Sequence, residues 1–174
     1  VMSNPTAVAW RSTKRLLRHM TSLQGKHLQY RRGESDEIDI WAQSDASLGD
    51  LSSDGRSQYG HLQRLSQKDG AYRWKSGRIP YSLISTGATE LYSLSECCRE
   101  VVADRMLLRE MGFILTKPST VLTDSKSAMI NATHFLSKSA TRAVRLRSWF
   151  CREACDANEL VVLWASGKTL AADG

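Results

Sequence analysis

The spacing of apolar residues in this 174-residue chain lengthens near its middle, and that switch limits the fold more than any other feature. From Ile38 the pattern is β-like: IDIWAQSD, SQYGHLQRL and AYRWKS are short segments set apart by the turn-rich DLSSDG and SQKDG. Three consecutive strands with short connections imply an antiparallel meander. Beyond Ser85-Thr86-Gly87, Leu91, Leu94, Cys98, Val101 and Leu108 recur at helical spacing, which predicts a long helix over Glu90–Met111 with Gly112 as its stop. TVLTD predicts a fourth strand, SKSAMINA a short helix, SATRAVRLRSWFCREACDA a basic helix, ELVVLWA a fifth strand, and GKTLAADG the opening of a last helix. Strands that follow a long helix usually return parallel by a right-handed crossover. The order therefore predicts an α/β domain: a five-stranded mixed sheet, three antiparallel strands followed by parallel ones, flanked by helices.

Ahead of this body, Asn4-Pro5 reads as a cap with proline at the first helical position. Val8, Leu16, Leu17 and Met20 form a partial apolar stripe through a basic helix ending near Gly25. HLQYRR resembles a short strand and GESDE a polar turn, which divides the chain into an appendage, 1–36, and a main domain, 37–174. Without Met at position 1, the chain is expected to be a piece of a longer polypeptide. VMSNPTAVAW lacks the regions of a signal peptide, and no apolar run approaches the roughly 18 residues that span a bilayer, so neither secretion nor a membrane partner is expected. At 41% hydrophobic and 24% charged, the composition excludes a disordered chain. The excess of 24 Lys and Arg over 18 Asp and Glu gives +6, which suits a polyanionic partner, nucleic acid first. Cys97, Cys98, Cys151 and Cys155 fit no zinc spacing and read as mostly buried thiols of a reducing compartment.

The acids carry the chemistry. Asp45 falls at the end of the first strand, Asp124 at the end of the fourth, Glu90 in the first turn of the long helix, and Asp173 near the start of the last helix. In a sheet with parallel central strands, side chains at the carboxyl ends converge on one crevice. Taken singly, each acid also reads as a helix cap or turn residue. Taken together in a basic protein, they point to a metal site, because carboxylates that close raise one another's pKa unless a cation lies between them. Oxygen-only ligands select Mg²⁺ or Mn²⁺. Two such ions about 3.5–4 Å apart serve in-line phosphodiester hydrolysis.

In order along the chain, MSNPTAVAWRSTKRLLRHM, QSDASLGDLSSDGRSQYG, YRWKSGRIPYSLISTGATELYSLSECCRE, VLTDSKSAM and LAADG resemble blocks of one family. It is the ribonuclease H domain at the C-terminal end of copia-type retrotransposon polyproteins, with the segment that joins it to reverse transcriptase. The resemblance implies a ribonuclease H-like fold, with Asp45, Glu90, Asp124 and Asp173 as an acidic tetrad holding two Mg²⁺ ions that Mn²⁺ can replace. It implies cleavage of the RNA strand of an RNA–DNA hybrid, a covalently linked reverse transcriptase in the parent polyprotein, and a cytoplasmic virus-like particle with access to the nucleus.

The chain departs from the family at ATRAVRLRSWFCRE, where a His and an Asp are lost and Arg142, Arg145 and Arg147 are gained. Those arginines and Arg152, with Lys75, Arg78, Ser125 and Lys126 near the crevice, are the candidate contacts to substrate phosphates. Two rivals stand beside this expectation: a non-catalytic nucleic-acid-binding or structural remnant of a reverse transcriptase polyprotein, and another nuclease of the same fold.

Overall fold

The computed structural model describes residues 6–30, 38–49, 55–83, 85–134, 142–167 and 170. Its elements are α1 (Ala7–Ser22), β1 (Trp41–Ser47), β2 (Gln58–Arg64), β3 (Ala71–Arg78), α2 (Thr86–Glu110), β4 (Ser119–Thr123), α3 (Lys126–Thr133), α4 (Arg142–Asp156) and β5 (Leu160–Trp164). The strands form one sheet in the order β3-β2-β1-β4-β5. β1, β2 and β3 pair antiparallel, whereas β4 joins β1, and β5 joins β4, in parallel. The mixed sheet expected from the switch in period is present, with the first strand at its centre.

Alternate residues of the central strands face the helices. Ile40 precedes β1 and joins Ala42 of β1, Val121 of β4, and Leu160 and Val162 of β5 in burying against Leu91, Leu94, Cys97, Cys98 and Val101 of α2. Ala128 and Ala132 of α3 and Cys151 and Ala154 of α4 complete the same core, α3 and α4 also reaching β5. Because α2 packs against β1 and β2 and also against α3 and α4, its buried residues occupy more than one face. Cys97, Cys98 and Cys151 are buried and Cys155 half-buried, all as free thiols.

The predicted stop at Gly112 is a left-handed cap (φ 91°): its N–H donates to Arg109 O, and Phe113 N–H to Leu108 O, each at 2.9 Å. A register shift at Gln63/Arg64 bulges the β2–β3 pair. There the consecutive residues Tyr72 and Arg73 both reach Asp104 of α2, at 2.8 and 2.6 Å.

Local expectations shift in four places. Thr6 caps α1 by accepting from Ala9 N–H at 3.1 Å, while Asn4 and Pro5 lie outside the described residues. Ser85 caps α2, so the helix starts at Thr86, four residues before its predicted beginning. Within 27–30, the described part of the predicted HLQYRR strand, none forms. Gln29 O accepts from Gly70 N–H, and Tyr30 Oη–H donates to Ala71 O, both at 2.8 Å, so the segment meets the β2–β3 turn rather than an open strand edge. Of the predicted last helix only Gly167 and Leu170 are described. Among the described residues no helix is long and apolar enough to cross a membrane.

Candidate active site

Two strands and one helix assemble the acids. β1 and β4 run parallel with Ser44 opposite Thr123. Asp45 and Asp124 are the next residues along each, so strands about 4.8 Å apart deliver both carboxylates to one end of the sheet. α2 crosses above them. Ser93 Oγ lies 2.7 Å from Asp45 O and 3.1 Å from Gly60 O, and its single proton, shared between the two carbonyls, fastens the helix to β1 and β2. Glu90 precedes Ser93 by three residues and hangs one turn nearer the strand ends. Gly87 permits close approach of α3, since a Cβ there would stand 3.2 Å from Ser127 Oγ. One carboxylate oxygen each from Asp45, Glu90 and Asp124 therefore lie within 4.8 Å of one another.

None of the three is a helix cap. Ser125 caps α3, accepting from Ala128 N–H at 3.2 Å, and Ser85 caps α2. Asp45 sits inside β1 opposite Gly60, two residues short of the strand end where the sequence placed it. Glu90 is the fifth residue of α2 rather than a first-turn residue, because the helix begins earlier than its apolar pattern. Glu90 Oε2 and Asp124 Oδ1 are buried with no hydrogen-bond partner. Burial above all, then the charges of Asp124 and Asp45, push the Glu90 carboxyl up to about 8. An oxygen-only, same-sign cluster with orphaned oxygens fits a hard divalent cation, which would supply the missing partner for Glu90 Oε2 and Asp124 Oδ1. Asp173, the fourth predicted ligand, lies outside the described residues.

A residue that the sequence did not single out supports the trio. Trp164 ends β5 opposite Thr123, and its Nε1–H donates to Asp124 O at 2.8 Å. Its ring lies 4.8 Å from Lys126 Nζ, which seats that cation beside the acids. The available signal was its place as the last residue of a parallel strand next to β4.

The other basic candidates scatter. Lys75 and Arg78 are exposed on the edge strand β3, two strands from Asp45, with Lys75 Nζ 3.7 Å from Glu100 Oε1. Arg145 is exposed, its guanidinium 5.4 Å from the Trp149 ring. Arg147 turns inward to Ser95 (2.7 Å) and Glu96 (2.8 Å) over the face of Tyr92. Arg152 is buried and donates to His134 O. These last two tie α4 to α2 and to the end of α3. The side chain of Arg142 lies outside the described residues.

No protein-family model and no curated protein matches the sequence. Solved structures do. A ribonuclease H1 isolated from compost by a metagenomic approach superimposes with a TM-score of 0.57 at 15% identity, over 78% of this chain and 91% of that one. This chain has a ribonuclease H-like fold. The same compost ribonuclease H1 in complex with an RNA/DNA hybrid gives 0.55 at 14% identity, over 78% and 91% of the two chains. The ribonuclease H1 of the halophilic archaeon Halobacterium salinarum gives 0.52 at 14%, over 75% and 88%. At such identities the likeness is one of fold, and the ribonuclease H-like fold here carries its acidic trio at the carboxyl end of the parallel strands.

Proposed function

We propose that the chain is a metal-dependent endoribonuclease that hydrolyses the RNA strand of RNA–DNA hybrids. Asp45, Glu90 and Asp124, joined by Asp173, would hold two Mg²⁺ ions, with Mn²⁺ able to replace them. One observation carries this: three carboxylates within 4.8 Å, two of them with buried oxygens that lack any partner, on a ribonuclease H-like fold. Divalent cations bound there supply polarisation of the scissile phosphate and a more acidic attacking water.

The remaining work belongs to the chain. Ser93 holds Glu90 over the strand ends and Trp164 holds the backbone of Asp124, so two of the ligands are positioned before substrate arrives. Glu90 keeps its proton near neutral pH in the metal-free trio and must release it to act as a ligand. Lys126 and Ser125 beside the trio, Arg142 and Arg145 on α4, and Lys75 and Arg78 on β3 are the proposed contacts to the hybrid's phosphates, which position substrate without reading its sequence, while Arg147 is taken up by Glu96 and Ser95. The sequence blocks further support residues 1–36 as a connection from a reverse transcriptase and 37–174 as the nuclease domain of a copia-type polyprotein, working in a cytoplasmic particle.

The test is a labelled RNA–DNA hybrid incubated with and without Mg²⁺. RNA-strand cleavage that needs the ion and disappears in Asp124→Asn supports the proposal. Hybrid that is bound but left intact would favour a non-catalytic remnant, and cleavage of duplex DNA instead would indicate another nuclease of this fold.

A further inference from the structure

Seven of the 24 Lys and Arg residues, and none of the 18 Asp and Glu, fall in residues 1–32. The remainder carries 17 basic against 18 acidic residues, a net of −1, so the chain's positive charge resides in its N-terminal segment. On α1, Arg11, Lys14, Arg15 and Arg18 stand at i, i+3, i+4 and i+7, which places them along one face. All four are exposed, and none pairs with a carboxylate among the described residues. The body treats its arginines differently: Arg73, Arg99, Arg105, Arg109 and Arg147 are each engaged by Glu or Asp. Like charges four apart weaken a helix, so this array works against α1 unless a polyanion neutralises it.

We propose that this face of α1 is a second nucleic-acid contact, a grip on duplex phosphates separate from the acidic trio. Its position favours a nucleic acid over an anionic membrane. The chain after α1 is hydrogen-bonded to the start of β3 through Gln29 and Tyr30, which ties the basic segment to the edge strand that carries the exposed Lys75 and Arg78. That the duplex is an RNA–DNA hybrid rests on the function proposed above; the phosphate grip does not.

The test is fluorescence anisotropy of a labelled hybrid with the full chain, without divalent metal, between 50 and 200 mM salt. Replacing all four residues by Gln, which keeps helix propensity, should weaken binding about tenfold or more and lower the slope of log K against log salt by about 3 to 4. The variant Arg11→Lys, Arg15→Lys, Arg18→Lys keeps the charge and should keep the slope. Unchanged affinity and slope in the Gln variant would overturn the grip, as would loss of binding in the Lys variant, which would mark a disturbed helix. Normal hybrid binding with lost retention on phosphatidylserine vesicles would overturn it in favour of a membrane. If the wild type binds through α1 yet never cleaves, the nuclease assignment fails and the grip stands.

Discussion

The two ends of α2 bury charge in opposite ways. At its C-terminal end Arg105, nearly inaccessible, donates to Glu159 at 2.5 Å and to Lys117 O and Ser119 Oγ at 2.9 Å, while Arg109 grips the same carboxylate with two bonds of 2.8 Å. Arg109 first, then Arg105, hold the Glu159 carboxyl below its usual range. At the N-terminal end Glu90 faces two further acids, and its carboxyl is pushed the other way, up to about 8. One cluster sets opposite charges against each other and belongs to the fold. The other is complete only with a cation, and that incompleteness marks it as a site.

Breaking each cluster should therefore have separable consequences. Asp124→Asn removes a ligand but no structural partner. Hybrid cleavage should fall about 10³-fold or more, equivalent to ~4 kcal/mol of transition-state stabilisation, while the metal-free Tm stays level or rises. Arg105→Ala should do the reverse, costing ~3 kcal/mol by stranding buried acceptors and lowering Tm by about 6–12 °C in calorimetry, with cleavage per folded molecule unchanged.

Titration sharpens the contrast. Glu90 binds its proton more tightly folded than unfolded, so metal-free stability should be highest below about pH 4.5 for this group and should decline as pH rises towards about 8. The decline should amount to ~1–2 kcal/mol and vanish in Glu90→Gln, as read from urea midpoints at pH 5 and pH 8. Smallest is Trp164→Phe, which keeps a ring beside Lys126 but loses the N–H to Asp124 O. A loss of ~1 kcal/mol, seen as a few-fold drop in kcat with KM little altered, is expected in steady-state kinetics.

The same contrast explains what the sequence disclosed. The change of apolar period and the turn clusters were enough to imply a mixed sheet, while the central place of β1 beside β4, which brings Asp45 and Asp124 together, emerged only in the fold. Capping was not legible in advance, because Ser85, Ser125 and Asp124 are all competent caps and only the helix starts distinguish them. The direction of Arg147 was equally hidden. Charge on α4 reads from composition, but its engagement by Glu96 arises from how α4 packs on α2. Trp164 looked like the apolar end of a strand until the parallel register with β4 placed its N–H against the Asp124 carbonyl. HLQYRR has strand-like residues, yet its partner is a turn, a tertiary fact that no local pattern contains.

The central claim is that same-sign side chains gather at the carboxyl end of β1 and β4 because a cation completes them. A crystal soaked in Mn²⁺ and measured at the manganese edge tests it directly. An anomalous peak within ligand distance of Asp45, Glu90 and Asp124, absent from Asp124→Asn crystals, is the predicted result. Ordered carboxylates with no peak between them at millimolar Mn²⁺ would contradict it.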